Sequence, residues 1–304
     1  MAKIRVALFG GQDLGYVMAE YFSARDDIEL FVVSYHSRRD AINGYRSALT
    51  ISKDLGIPYI ETSQPNKDVV SVLRDWKPDI IVSAYYARLL SPELLRIPRL
   101  GAINVHPGKF PRYQGPMPTP WYILNGEKTF GIGILQIDDG VDTGPVFVER
   151  EYPFPGDETG HGLLLRTQRA AAELYKEFFD AIVSGEIIAK PQLGKPEVCP
   201  RIKPQYQIDW NDTAEMISRQ IRVHARPYFP AFSYLYDRMI SVNRAEVSAQ
   251  ALPDRTPGEI IAVSNNGLSV ACGEGVLTVT NCEFFPAMNP EQAPLYLRTG
   301  SRFG

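Results

Sequence analysis

Six apolar runs, most of them separated by helix-like stretches, constrain the first half of this 304-residue chain more than any other feature. "KIRVALFGG" (3–11), "IELFVVSYH" (28–36), "DIIVSAYYARLL" (79–90), "GAINVH" (101–106), "FGIGILQI" (130–137) and "GPVFVEREYPF" (144–154) each read as a strand. Between them, "YVMAEYFSA" (16–24) and the Pro-ended "DVVSVLRDWKP" (68–78) carry helical spacing. Strands apolar on both sides, alternating with helices, imply a mostly parallel sheet covered on both faces. A longer segment follows, "GLLLRTQRAAAELYKEFFDAIVSG" (162–185). Its Leu163, Leu164, Ala170, Leu174, Phe178 and Ile182 recur about once per turn and predict one buried stripe.

The pattern changes at "AKPQLGKPEVCPRIKPQYQIDW" (189–210), which carries four prolines and little periodicity, as a linker does. After a short helix-like piece (214–225) come brief β-like runs broken at Asn265-Asn266-Gly267 and Gly273-Glu274-Gly275, the pattern of a small β-barrel. The expected layout is a first domain over 1–190, a linker over 191–206 and a barrel domain over 207–304.

Charge narrows the partners. Lys+Arg number 32 against 35 Asp+Glu, a net −3, without the basic excess of a broad nucleic-acid surface. No run approaches the ~18 apolar residues of a membrane span, and the N-terminal apolar run is too short for a secretory leader. Cys199, Cys272 and Cys282 lack metal-site spacing and are an odd number, so they read as core residues of a reducing compartment. The cytoplasm is the expected location, with no membrane partner.

Three stretches carry possible chemistry. "GGQDLG" (10–15) is a Gly-rich turn between strand and helix, but it matches neither nucleotide fingerprint and reads as a tight turn. In "GAINVHPGKFPRY" (101–113), Asn104 and His106 sit two apart at a strand end, so both side chains face one way. Pro107 and Gly108 then stop the strand, at the carboxyl edge where open parallel sheets hold their ligands. "QIDDGVDTGPV" (136–146) interleaves Asp138, Asp139 and Asp142 with Gly140 and Gly144, and is expected at the same edge. It reads either as a solvated turn or as the source of a carboxylate for the imidazole. A divalent-metal site lacks regular spacing here, and no metal is expected. An ionised carboxylate orients an imidazole and favours its protonated form. Such a His can take a proton from an attacking amine while an Asn amide stabilises the oxyanion of a tetrahedral intermediate. With an amine substrate, acyl transfer needs no Ser or Cys nucleophile.

"NVHPGKFPRYQG" together with "QIDDGVDTG" resembles the signature of the folate-dependent formyltransferases, Asn-x-His-Pro-x-x-x-Pro-x-x-x-Gly followed by Asp-x-Gly-x-Asp-x-Gly. The resemblance spans most of the chain, including "SAYYARLL" before the signature and "IRVHARPYFPAFSYL" at the opening of the barrel. It implies an α/β fold: a Rossmann-like, mostly parallel sheet with helices on both faces, followed by a small OB-like barrel. It further implies an N-formyltransferase using N10-formyltetrahydrofolate as co-substrate, with Asn104, His106 and Asp142 as catalytic residues. Tyr86, Ala87, Arg88, Leu89 and Leu90, with Ile137, Asp138, Asp139 and Gly140, are the expected folate contacts. Gly10, Gln12, Pro107, Gln114, Met117 and Trp121 are the expected contacts to the acceptor. Tyr228 and Phe232 are expected to pack a domain junction.

Two positions depart from the family pattern. Gly108 stands where a Ser is usual, and Gly133 where a Thr is usual, so two hydroxyls are missing beside the expected centre. For the acceptor, a nucleotide-linked amino sugar is favoured over methionyl-tRNA. The stretch 37–56, where the tRNA enzymes carry a Lys-rich insertion, sets Arg38, Arg39, Arg46 and Lys53 against Asp40 and Asp54 and is no basic arm. Trp121 suits a sugar or base ring. Gln136 matches the tRNA enzymes instead. A catalytically weak folate- or nucleotide-binding protein is the alternative from another class. A dehydrogenase is disfavoured by the missing G-x-G-x-x-G. A homodimer is compatible with all of these.

Overall fold

The computed structural model describes residues 3–35, 44–249, 255–287 and 292–304. His36, and Arg38, Arg39 and Asp40 of the 37–56 stretch, therefore lie outside the described residues.

The described chain falls into two compact units. The first comprises residues up to Thr119, then Thr129–Pro153 and Leu165–Arg201; the second comprises Pro120–Lys128, Phe154–Leu164 and Ile202–Gly304.

The first unit is built on seven strands: β1 (Ile4–Gly10), β2 (Ile28–Ser34), β3 (Tyr59–Glu61), β4 (Ile80–Ala84), β5 (Ala102–His106), β6 (Thr129–Gln136) and β7 (Val146–Pro153). Their order is β3-β2-β1-β4-β5-β6-β7, with β1 to β5 parallel. This is the α/β, Rossmann-like sheet expected. Helices α1 (Gln12–Ser23), α2 (Ala48–Leu55), α3 (Pro65–Asp68), α4 (Val70–Trp76) and α5 (Pro92–Leu95) connect the parallel strands. Local chemistry sets their ends. The Ser47 hydroxyl accepts from Leu49 N–H at the start of α2, and Gly56 closes that helix in the left-handed region at φ 66°.

β6 runs antiparallel to β5, and β7 antiparallel to β6. This corrects the expected position of the 136–146 loop. Gln136 pairs with Ile103 and Ile137 N–H bonds to Ala102 O, so the loop leaves beside the amino end of β5, not its carboxyl end.

α6 (Pro118–Leu124) lies between β5 and β6 in the chain, and the long α7 (Gly160–Ser184) follows β7. On α7 the buried stripe comprises Leu163, Thr167, Ala170, Ala171, Leu174, Tyr175, Phe179 and Ile182. Leu164 and Phe178, expected in it, are only half-buried. Phe179 takes the core position against Phe22, while Phe178 lies under the Arg150 guanidinium. One sheet face is filled by Ala7, Phe9, Phe31, Val33, Ile81 and Ala102 against Val69, Val70, Leu73, Tyr86 and Leu94.

The second unit carries α8 (Ala214–Val223) and five antiparallel strands: β8 (Ala231–Leu235), β9 (Arg238–Ser248), β10 (Ile260–Ser264), β11 (Gly267–Ala271) and β12 (Val276–Phe285). A short α9 (Ala293–Tyr296) follows. Their order is β10-β11-β12-β9-β8. The last residues couple the two edges. Phe303 bridges to Leu235 of β8, and Arg302 bridges to Glu259 just before β10. The exposed edges of the sheet are thereby paired, as in a small barrel. Trp210 stacks on Phe303 inside it, and Tyr228 meets His161 edge-on in the same unit. Among the described residues no helix is long and apolar enough to cross a membrane.

Candidate active site

β5 delivers two side chains to one place because strand residues alternate sides. Asn104 Nδ2 donates to Asp142 Oδ1 at 3.3 Å. His106 Nδ1 faces Asp142 Oδ2 at 3.4 Å, with the imidazole buried. The three expected catalytic residues therefore meet, although Asp142 arrives by a route the sequence reading did not foresee. Its loop begins at the opposite end of β5 and turns back alongside it, with Asp142 itself in the left-handed region at φ 56°. The Gly115 main-chain N–H also donates to Asp142 Oδ2, at 3.0 Å, so both carboxylate oxygens are held.

The other ring nitrogen fixes the tautomer. His106 Nε2 lies 2.8 Å from the main-chain oxygen of Tyr113. A carbonyl only accepts, so Nε2 carries the hydrogen. Nδ1 is then the nitrogen with the free lone pair, and it is the one beside the carboxylate.

Beneath this trio lies a second amide pair. Gln114 is buried, and its Nε2 donates to Gln192 Oε1 at 2.9 Å. Gln192 Nε2 donates in turn to the main-chain oxygens of Asp142 and Gly144. On either side of Gln192, the stretch read as a linker is paired with its neighbours. Lys190 bridges to Val146, and Val198 bridges to Gln114. The sequence reading missed Tyr113, Gly115 and Gln192. Two act through main-chain atoms, which residue identity does not reveal, and Gln192 stands in an aperiodic Pro-rich run.

Asp138 and its neighbours behave as turn formers. Asp138 Oδ1 accepts from Gly140 N–H at 3.0 Å and from the Thr143 hydroxyl at 2.7 Å. Asp139 is exposed. Among the described residues no group of three or more His, Cys, Asp or Glu is placed to hold a metal.

The segment expected to hold folate presents a mixed surface. Ala87, Arg88 and Leu89 are exposed, while Leu90 and Ile137 pack against the cluster that contains Tyr86. Tyr86 is buried between Phe9 and Tyr35, and its hydroxyl has no hydrogen-bond partner. Burial pushes that phenol well above its usual range. An apolar wall and one orphaned hydroxyl suit a flat heterocycle with polar edges.

The remaining expected contacts separate into three groups. Pro107 and Gln114 are buried in the wall around His106. Gly10 and Gln12 belong to the β1–α1 turn, where packing accounts for them. A Cβ on Gly10 would meet Gly15 Cα at 3.0 Å, and Gln12 Oε1 accepts from Gln168 Nε2. Met117 is half-buried ahead of α6; Trp121, on α6, is half-buried and counts with the second unit.

Two family models match the chain: "Formyl transferase" over residues 28–179 and "Formyl transferase, C-terminal domain" over residues 201–293. The methionyl-tRNA formyltransferase of Citrifermentans bemidjiense is 33% identical over 240 residues, covering 77% of this chain and 73% of that protein. Among solved structures, the sugar 3N-formyl transferase WlaRD, determined with dTDP and 5-N-formyl-THF, superposes with a TM-score of 0.72. It is 15% identical and covers 93% of this chain and 98% of its own. An N-formyltransferase from Helicobacter canadensis, in complex with folinic acid and dTDP-3-aminofucose, gives 0.68 at 16% identity, covering 92% of this chain and 100% of its own. The fold and the paired motifs define an enzyme of one-carbon group transfer. This chain belongs to the formyl transferase family.

Proposed function

We propose that the protein moves a formyl group from N10-formyltetrahydrofolate to the primary amine of a nucleotide-linked amino sugar, by direct attack of that amine. The observation that carries the reading is the meeting of Asn104 and His106 with Asp142, with the imidazole tautomer fixed by Tyr113 O. The folate supplies the formyl group as an activated amide. The segment 86–90, with Ile137, Asp138, Asp139 and Gly140, would hold it, the apolar wall and orphaned Tyr86 hydroxyl being the support.

The chain's own residues then divide the work. One N–H of the Asn104 amide holds Asp142 and leaves the second for the oxygen that gains charge as the amine adds. His106 Nδ1 accepts the proton that the amine loses, and the adjacent carboxylate stabilises the imidazolium. That proton is returned to the departing folate nitrogen. A new N–C bond forms at the formyl carbon as the folate N–C bond breaks, so atoms and protons balance without a covalent enzyme intermediate. Pro107 and Gln114 would wall the acceptor side together with Met117, and Gly10 and Gln12 would contribute main-chain contact.

Charge supports the choice of acceptor. Residues 207–304 contain eight Lys and Arg against ten Asp and Glu, so the barrel has no basic excess with which to neutralise RNA phosphates. A second reading, methionyl-tRNA as acceptor, is supported by the names of the relatives in sequence. The test is release of tetrahydrofolate with a panel of 3-amino and 4-amino sugar nucleotides beside initiator methionyl-tRNA. Turnover of a sugar nucleotide is expected; turnover of the tRNA alone would replace the first reading with the second.

A further inference from the structure

His106 pairs across the sheet with Gly133, so the residue beside the imidazole has no side chain of its own. Cross-strand partners share a face, and a side chain there would ordinarily flank the ring. The space is not empty. A Cβ on Gly133 would lie 2.5 Å from Phe110 Cε2, and a Cβ on Gly108 would lie 3.3 Å from Phe110 Cε1 and 2.8 Å from His106 Cδ2. The Phe110 ring therefore fills the gap that both glycines leave, with its centroid 5.9 Å from that of the imidazole. The backbone is fitted to the same end. A Cβ on Gly131 would lie 2.3 Å from Gly108 O, so the 108–110 loop rests directly on β6. Phe110 N–H is anchored to Glu149 Oε1 at 2.9 Å.

We propose that Phe110 is a positioning residue for His106, taking over the flank of the imidazole that a side chain at Gly133 or Gly108 would otherwise supply. The ring nitrogens are held at Tyr113 O and Asp142, and the Cδ2 edge is held by the Gly108–Phe110 wall. With all three in place the imidazole has one orientation. The same wall is apolar, so no hydroxyl competes with Asn104 or Asp142 for hydrogen bonds at this edge. The inference rests on the proposed role of His106 in transfer, but it concerns the orientation of the ring, which can be read without turnover.

The experiment combines Phe110→Ala, Phe110→Leu, Gly133→Thr and the double variant Phe110→Ala/Gly133→Thr. Each is measured for kcat and KM, for melting temperature, and for the ring signals of His106 in isotope-labelled protein, assigned against His106→Ala. In Phe110→Ala, kcat is expected to fall at least about tenfold with the folate KM little changed, because a loosened catalytic group costs rate more than binding. The His106 signals should broaden or shift, and Phe110→Leu should restore much of both. Gly133→Thr alone should lower the melting temperature, and the double variant should recover part of that loss, the remainder reflecting the Val148 main-chain oxygen 3.0 Å from the added Cβ. Wild-type kcat with unchanged His106 signals in Phe110→Ala would overturn the proposal. So would a Gly133→Thr penalty that persists undiminished without the ring. If His106→Ala itself kept full turnover, the catalytic reading would fail, and the signals in Phe110→Ala would still decide whether the ring is held.

Discussion

Gln192 reaches Asp142 without touching its carboxylate: one amide nitrogen donates to the main-chain oxygen of Asp142 at 2.8 Å and to that of Gly144 at 2.9 Å. The loop that carries the candidate acid must hold a left-handed conformation, and Gln192 pins its carbonyls while Gln114 orients Gln192. Gln192→Ala removes both hydrogen bonds to the loop, each worth about 1 kcal/mol or more when buried acceptors are left unmet. We expect kcat to fall by about ten- to a hundredfold. Folding should be intact by circular dichroism. Gln192→Glu, which keeps the length but loses the donors, should behave like the alanine variant. Full activity in both would show that the loop holds itself.

The Tyr113 carbonyl sets the His106 tautomer. Nitrogen-detected spectra of labelled protein should show the neutral ring protonated at Nε2, the nitrogen that faces Tyr113 O. A neutral ring protonated at Nδ1 would place the proton toward Asp142 and reverse the assignment of the basic nitrogen.

The cysteines are expected to be chemically quiet. Burial pushes the Cys199 thiol up to about 11, Cys272 to about 12 and Cys282 to about 11. Only the thiolate attacks, so at pH 8, below all three values, little of it is present in the folded protein. Disulfide reagents should titrate these thiols slowly in native buffer and rapidly after denaturation. A prompt stoichiometric burst from the native protein would contradict this.

The β1–α1 turn tests the packing account of its glycines. A Cβ on Gly11 would lie 2.2 Å from Tyr85 O, a main-chain atom that cannot rotate away. Gly11→Ala should destabilise the fold by about 1–3 kcal/mol, the range for overpacking. Denaturant unfolding measures it, and an unchanged midpoint would mean that β1 and β4 can separate freely there.

Much of the fold was legible because burial leaves a simple trace. Strands covered on both faces, such as Ile4–Gly10 and Ile80–Ala84, are apolar apart from Arg5 and Ser83, and the parallel sheet follows from them. The reversal at β6 was not legible, since "FGIGILQI" is equally apolar whichever way it runs. The spacing of Asn104 and His106 placed both on one side of β5, and the signature supplied Asp142. The path of Asp142 depends on strand direction, and the clamps at Tyr113 O and Gly115 N–H depend on backbone geometry. Neither is carried by side-chain identity. The two glycines that depart from the family pattern were read as lost hydroxyls. The structure adds what no spacing reveals, that the Phe110 ring lies in the space beside both.

The most direct test of the transfer chemistry is the single-turnover rate of formyl transfer in Asp142→Asn, compared with wild type at equal melting temperature. The amide keeps the size of the carboxylate but removes the charge beside His106 Nδ1. The rate should fall by about 10²–10⁴, the range of general acid–base assistance, because the imidazolium formed at His106 loses its carboxylate partner. A rate equal to wild type would contradict the role given to His106 and Asp142.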